Sequence, residues 1–267
     1  MKVVLFCGGL GMRIREYSED VPKPMVPIGY RPLLWHVMKY YAHYGHKDFI
    51  LCLGYKADVI KDYFLNYNEA LSNDFTLSEG GEVALKSSEI HDWRITFVDT
   101  GMATNIGGRL RAVQEYLEGE DMFLANYADN LTDVPLDTMI DYFKEQDKIA
   151  SFLCVRPSQS FHLVSFDDKQ LVNSIEHVTA RDIWINGGYF CLRGDIFDHM
   201  EAGEELVEEP FRRLMDQQQL IAYRYDGFFV CMDTFKERGV LEELYTNGKA
   251  PWRVWNGSAS PDDGGGA

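Results

Sequence analysis

Lys2-Val3-Val4-Leu5-Phe6-Cys7-Gly8-Gly9-Leu10-Gly11-Met12-Arg13, followed by Val21-Pro22-Lys23-Pro24-Met25-Val26-Pro27, decides how this 267-residue chain is read. Val3 to Cys7 is a short apolar run rich in β-forming residues, the pattern of a strand buried on both faces. A glycine-rich turn follows it directly. Glycine admits positive φ and lets a ligand approach the main chain, so the N–H groups of Gly8, Gly9 and Gly11 can face an anion. Arg13 and Lys23 add fixed positive charge in the same loop. Pro22 and Pro24 are expected to hold the backbone around Lys23 extended and stiff. A phosphate-rich ligand suits such a loop. It is not a dinucleotide fingerprint, because Ile14 stands where a third glycine should open a helix. Nor is it a P-loop, because Met12-Arg13 replaces the terminal Gly-Lys-Ser/Thr.

Composition narrows the class. Hydrophobic residues make up 46% of the chain, as in an ordinary globular protein. The formal net charge of −16 opposes nucleic acid, whose backbone needs a basic surface. A small polyanion can still bind where local cations and a divalent ion overcome that field, which puts weight on Arg13 and Lys23. Cys7, Cys52, Cys154, Cys191 and Cys231 are odd in number and far apart, which argues against a disulfide framework or a zinc site. No apolar run has the length of a membrane span, so no membrane partner and a cytoplasmic location are expected.

Outward from the loop, the pattern alternates. Helices are expected over Pro32–Tyr44 and from Gly54-Tyr55-Lys56 to Asn66, around a buried strand Asp48–Leu53. Strand, helix, strand at this spacing argues βαβ units and a parallel sheet. Residues 67–93 lose the rhythm and read as an irregular excursion with short strands. Strands follow over Arg94–Val98 and Met122–Asn126, with a loop from Asp99 to Gly108 and a helix from Arg109 to Leu117. The second strand ends in Tyr127-Ala128-Asp129-Asn130, an acid at the edge where open α/β sheets bind ligands. A helix over Leu136–Gln146 and a strand over Ile149–Val155 come next, then a hairpin, Phe161–Phe166 with Gln170–His177. The remaining elements are strands over Ile183–Leu192, Ile221–Tyr225 and Phe228–Met232, and helices over Glu208–Gln218 and Thr234–Asn247. No repeat or linker divides the chain, and residues 256–267 have the composition of a disordered tail.

Gly8-Gly9-Leu10-Gly11-x-Arg13 with Pro22-Lys23-Pro24-Met25 resembles the signature of the sugar-1-phosphate nucleotidyltransferases. The likeness extends through Gly107-Gly108-Arg109-Leu110, Ile185-Asn186-Gly187-Gly188, Met232-Asp233-Thr234 and Gly248-Lys249-Ala250-Pro251-Trp252, and covers essentially residues 1–255. The resemblance implies an α/β fold, a mixed, mainly parallel sheet flanked by helices (Rossmann-like), with a small β-rich subsidiary lobe. Residues 1–255 would form one domain, about 1–120 for the nucleotide and 121–255 for the acceptor. It also implies attack by a phosphate oxygen on the α-phosphorus of a nucleoside triphosphate, CTP first, with a sugar 1-phosphate, glucose 1-phosphate first, as acceptor. Such chemistry is mostly positioning and charge neutralisation, and Mg²⁺ suits it. By resemblance Asp129 and Asp233 hold the Mg²⁺, Arg13 neutralises the triphosphate, and Lys23 lies between the phosphates being joined. Gly8, Gly9, Gly11, Met12, Arg13, Tyr127 and Arg109 attend the nucleotide, Arg109 reaching from a neighbouring subunit of a trimer or hexamer. The plain alternative for Arg109 is a solvated helix residue. Lys23, Glu176, His177, Asn186, Gly187 and Gly188 attend the acceptor.

Three departures stand out. Met12 replaces a threonine, Ala128-Asp129-Asn130 replaces Gly-Asp-Gly and adds bulk beside the metal, and Glu176-His177-Val178 replaces Glu-Lys-Pro. Histidine is shorter than lysine and lacks its permanent positive charge. Altered acceptor chemistry, a modified sugar phosphate or a non-sugar phosphate or phosphonate, is therefore a second expectation. A nucleotide-binding regulatory protein without turnover is a third. Retention of Arg13, Lys23, Asp129 and Asp233 together speaks against the third, since a mere binder has little need of both metal carboxylates.

Overall fold

The structure is a computed structural model that describes residues 1–9, 21–157 and 161–256. The chain opens with β1 (Lys2–Phe6). A 3-10 turn (Lys23–Met25), the short pair β2 (Pro27–Ile28) and β3 (Arg31–Pro32), and helix α1 (Leu33–His43) follow. Next come β4 (Asp48–Leu53), α2 (Ala57–Leu65), an excursion with β5 (Phe75–Leu77) and β6 (Val83–Leu85), and β7 (Arg94–Asp99). Then come α3 (Ile106–Ala112), β8 (Met122–Asn126), β9 (Asn130–Thr132), α4 (Leu136–Gln146) and β10 (Ala150–Val155). The hairpin β11 (His162–Phe166) and β12 (Val172–His177) leads to β13 (Ile185–Arg193). The last elements are α5 (Glu209–Asp216), β14 (Leu220–Tyr225), β15 (Phe229–Cys231) and α6 (Phe235–Thr246).

One seven-stranded sheet runs in the order β14-β10-β13-β8-β1-β4-β7. β13 is antiparallel to both neighbours and the other six strands share one direction. The sheet is therefore mixed and mainly parallel, as expected. Small antiparallel sheets flank it: β2–β3, β5–β6, β9–β15 and β11–β12. β1 is buried on both faces. Val3, Leu5 and Cys7 enter a core with Leu33, Val37 and Phe143, while Val4 and Phe6 enter a second with Leu110, Ile196 and Phe211. Helices on both faces thus leave one free edge, the carboxyl ends of β1, β4, β7 and β8, for a ligand.

Two expectations differ from what forms. The helix placed at Arg109–Leu117 begins three residues earlier and stops at Ala112, with a separate 3-10 turn over Gln114–Leu117. Asn105 sets the start, its side chain accepting from Gly108 N–H at 2.9 Å. The segment around Lys23 is not extended throughout. Pro22 is (φ −66°, ψ 150°), but Lys23-Pro24-Met25 winds into the 3-10 turn, with Met25 N–H bonded to Pro22 O at 2.7 Å. Pro24 sits early in that turn, where no N–H is needed.

His36 is fully buried on α1. Its Nε2 donates to Ile28 O at 3.0 Å, and its Nδ1 accepts from Trp252 Nε1–H at 3.3 Å, which ties the C-terminal segment to the core. Burial, with Arg253 and Arg31 nearby, pushes its pKa down to about 4. The native state therefore needs the neutral ring. Its contribution is complete above the unfolded value of about 6.5 and is lost as pH falls towards 4, by about 3 kcal/mol for one group. Thermal melts from pH 8 to pH 4 should show His36→Gln with a distinctly flatter loss of stability below pH 6.5 than the native chain. Parallel profiles would contradict the neutral-ring assignment.

Candidate active site

The site grows from the free edge of the sheet. β8 ends at Asn126, and the chain then turns through Tyr127-Ala128-Asp129 into β9. Asn126 makes the turn by accepting from Ala128 N–H at 2.6 Å. β9 pairs with β15 so that Asn130 faces Cys231, and Met232 N–H bonds to Asp129 O at 2.9 Å. This two-stranded ladder brings Asp129 and Asp233 side by side from more than a hundred residues apart. Thr234 then caps α6 with Glu237 in a capping box, fixing the exit of the chain from Asp233.

Lys23 lies between the two acids. Its Nζ is 2.7 Å from Asp129 Oδ2 and 2.6 Å from Asp233 Oδ1. Burial is the largest single influence on Lys23 and works against its charge, but the charge of Asp129 and the hydrogen bonds to Asp129 and Asp233 act together against it, and its pKa is raised. Burial raises the Asp129 carboxyl as well. Lys23 opposes that rise and Asp233 adds to it. Cys231 joins the group: Asp129, Cys231 and Asp233 each present one ligand atom, all within 4.8 Å of one another. Burial first, then the charge of Asp129, pushes the Cys231 thiol up, so it stands as a neutral thiol beside the carboxylates.

These donors fit a divalent cation. Asp129 Oδ1 is sequestered from solvent and takes no hydrogen bond among the described residues. A buried carboxylate oxygen without a donor is costly, and a cation would satisfy it. Two carboxylates are also the oxygen donors a hard ion such as Mg²⁺ prefers, whereas the thiol is soft.

Beside this cluster opens a cavity of about 470 Å³, whose lining includes Gly8, Gly9, Thr104, Arg109, Tyr127 and Asp129. Arg109 is not the solvated helix residue considered above. It is 3% exposed, and its guanidinium turns inward to donate to Leu53 O at 3.0 Å, Thr100 Oγ1 at 2.7 Å and Gly8 O at 3.0 Å. It holds the glycine turn to β4 and β7 within its own chain. A Cβ on Gly8 would come within 1.9 Å of its Nη1, so a side chain there would displace the guanidinium from its hydrogen bonds.

Asn186, Gly187 and Gly188 on β13 pack against the acidic turn. Asn130 donates to Gly187 O at 2.9 Å, Asn186 to Tyr127 Oη at 3.3 Å, and Tyr127 N–H to Gly188 O at 3.2 Å. Gly188 has φ +72°, and a Cβ there would meet Tyr127 at 2.5 Å. Glu176 and His177 belong to the separate β11–β12 hairpin. Glu176 is ion-paired with Arg181 at 2.7 Å, and His177 Nδ1 is 2.7 Å from Thr179 Oγ1. Gly11, Met12, Arg13 and the tail from residue 257 lie outside the described residues.

Cys231 was not anticipated in the site, although it stands two residues before Asp233 at a strand end, a spacing that puts both side chains on one side. Asn130, expected to add bulk beside the metal, is instead directed to Gly187 and Asn126.

Comparison with known proteins is consistent across the chain. The sequence model of the nucleotidyl transferase family matches residues 2–227. Over 257 residues, 96% of this chain and 100% of the relative, the sequence is 38% identical to a glucose-1-phosphate cytidylyltransferase of Salmonella typhi. It is 36% identical over 258 residues, again 96% and 100%, to a probable glucose-1-phosphate cytidylyltransferase of Bacillus subtilis (strain 168). Among solved structures, HddC from Yersinia pseudotuberculosis superposes with a TM-score of 0.64 at 21% identity, covering 91% of this chain and 99% of that one. A UDP-glucose pyrophosphorylase complexed with UDP-glucose superposes with a TM-score of 0.66 at 16% identity, covering 92% and 98%. At these identities the two structures speak for the fold.

Ala128 has φ +61°, a left-handed conformation that costs a residue with a Cβ about 1 kcal/mol. It is fully buried and sets the direction of Asp129. Ala128→Gly relieves that strain but frees the unfolded chain and removes a buried methyl, so the opposing effects should leave Tm within about 2 °C of the native value. A larger fall in Tm would show that the methyl contributes more by packing than it costs in strain.

Proposed function

Because this chain belongs to the nucleotidyl transferase family, we propose that it transfers the cytidylyl group of CTP to glucose 1-phosphate, giving CDP-glucose and pyrophosphate. The observation that carries the reading is the meeting of Asp129, Asp233 and Lys23 beside the cavity behind Gly8 and Gly9. Donor and acceptor rest on the cytidylyltransferases matched at 36–38% identity over nearly the whole chain. The same likeness leaves an altered acceptor, or a regulatory protein without turnover, the weaker readings.

In this reading Asp129 and Asp233 would hold Mg²⁺, which would supply positive charge at the phosphates when bound. Lys23 is the second cation. Its ammonium lies against both acids, in reach of phosphates that bind over them, and it neutralises charge where the acceptor phosphate and α-phosphate meet. The Gly8 and Gly9 backbone and Tyr127 line the nucleotide side, and Gly11, Met12 and Arg13, outside the described residues, are assigned to the nucleotide by the family resemblance alone. Arg109 serves that side by holding the glycine turn in place. Asn186, Gly187 and Gly188 brace the turn that carries Asp129, and Glu176 and His177 serve the acceptor from the hairpin. Attack by the acceptor's own phosphate oxygen expels pyrophosphate, so no nucleophilic side chain is needed.

Residues 1–255 are proposed to act as one domain, since the single sheet spans both the nucleotide half (about 1–120) and the acceptor half (about 121–255). Self-association is proposed as well, supported by exposed apolar side chains on the β11–β12 hairpin, among them Phe166, Val172 and Ile175. Among the described residues no helix is long and apolar enough to cross a membrane. A cytoplasmic location is proposed on the chemistry, which uses intracellular nucleotides.

A pyrophosphate-release assay with the four nucleoside triphosphates against a panel of phosphorylated acceptors tests the assignment. CTP with glucose 1-phosphate should lead, and Asp129→Asn or Asp233→Asn should each lower that turnover by about 10³-fold or more with the circular dichroism spectrum unchanged. Near-normal turnover in either variant would remove the metal assignment. A different leading pair would replace the substrates and leave the chemistry.

A further inference from the structure

Lys23 is not poised in the open cavity. Its Nζ is within 2.7 Å of both carboxylates proposed to hold Mg²⁺, between Asp129 Oδ2 and Asp233 Oδ1. A divalent ion held by these two carboxylates would compete with the ammonium for their charge. Like charges cannot share so small and sequestered a volume, because screening there is weak. The backbone at Lys23 is meanwhile fixed: Pro24 and Met25 are buried and the 3-10 turn closes on Pro22 and Lys23. Only the side-chain stem is free to move.

We propose that Lys23 is the resident counter-cation of the Asp129–Asp233 pair, and that a divalent ion binds there by exchange, expelling the ammonium towards the phosphate-binding cavity. The inference rests on the metal role given to the two aspartates and adds an order to it. Without the metal, the lysine meant for the substrate is committed to the acids. With it, the acids exchange one cation for another and Lys23 becomes available to anionic oxygens. Cys231 takes no part in the exchange, since as a neutral thiol it offers no charge for the ammonium to balance. Metal affinity and lysine release are then one equilibrium, and each must respond to the other.

Two measurements test this without reading turnover. In the native protein, reductive dimethylation with formaldehyde, followed residue by residue by mass spectrometry, should show Lys23 protected in EDTA. Mg²⁺ alone should make it react about tenfold faster, as an ion pair of about 1.4 kcal/mol requires on release. Lys47 and Lys144, in exposed ion pairs, should be unaffected. CTP in EDTA should not reproduce the change. In the second measurement, Mn²⁺ binding is titrated by electron paramagnetic resonance. Lys23→Met should bind Mn²⁺ about tenfold tighter than the native chain, because the competing cation is gone. Lys23→Gln guards against poor folding of the first variant. Equal or weaker Mn²⁺ binding by a folded Lys23 variant would overturn the exchange, as would unchanged or lowered Lys23 reactivity with Mg²⁺ or release by CTP alone. Failure of the metal reading itself is distinguishable: Asp129→Asn would then leave Mn²⁺ affinity unaltered.

Discussion

Two carboxylates and one ammonium, drawn from three distant parts of the chain, meet within hydrogen-bonding distance at the rim of the sheet. Their mutual attraction is a constraint as much as a bond. Asp129 and Asp233 repel each other, and Asp129 resists burial, so the pair persists only with a cation between them. Lys23 meets that need in the chain as it stands. A nucleotidyl-transfer site needs the same arrangement for a different reason, because it must bring two phosphate groups together against their own charge. In a chain of net charge −16, a local meeting of cations is what makes such a polyanion welcome.

Most of the surrounding structure can be understood as holding those groups to their positions. β1, buried on both faces, delivers Gly8 and Gly9 at its carboxyl end, and β8 beside it delivers Asp129. The β9–β15 ladder fixes the separation of Asp129 from Asp233, which no local preference could do. Arg109 ties the Gly8 carbonyl to Leu53 and Thr100, and the Asn186-Gly187-Gly188 segment braces the acidic turn from the opposite side. The left-handed Ala128 is the local strain that accompanies the aim of Asp129. Stored strain of this kind persists where surrounding contacts over-determine the backbone, and the Asn126 side chain on Ala128 N–H is such a contact.

Much of this was readable from residue order. β1, β4, β7, β8 and α4 follow the sequence pattern within a residue, because long apolar runs between clear turn signals leave few alternatives. Asp129 and Asp233 could be singled out as strand-end acids, though only the resemblance paired them. What could not be read depends on tertiary contact. Helix α3 starts at Ile106 because of the Asn105 cap, in a stretch whose glycines argue for a loop. Arg109 looks like a surface residue on its helix until the carbonyls of Leu53 and Gly8 converge on it. Cys231 reads as core packing because its neighbours are apolar. The turn at Lys23-Pro24-Met25 is not legible locally, because the extended preference that proline imposes holds at Pro22 and stops there.

The most direct test of the meeting of Asp129 and Asp233 is crystallographic. Crystals of the native protein soaked in Mn²⁺ and measured at the manganese absorption edge should show an anomalous peak about 2.2 Å from carboxylate oxygens of both residues, a distance set by ordinary coordination to oxygen. The Lys23 ammonium should have left its place between them. A peak bound to one aspartate alone, or to neither at saturating Mn²⁺, would contradict a shared metal site and with it the proposed catalytic arrangement.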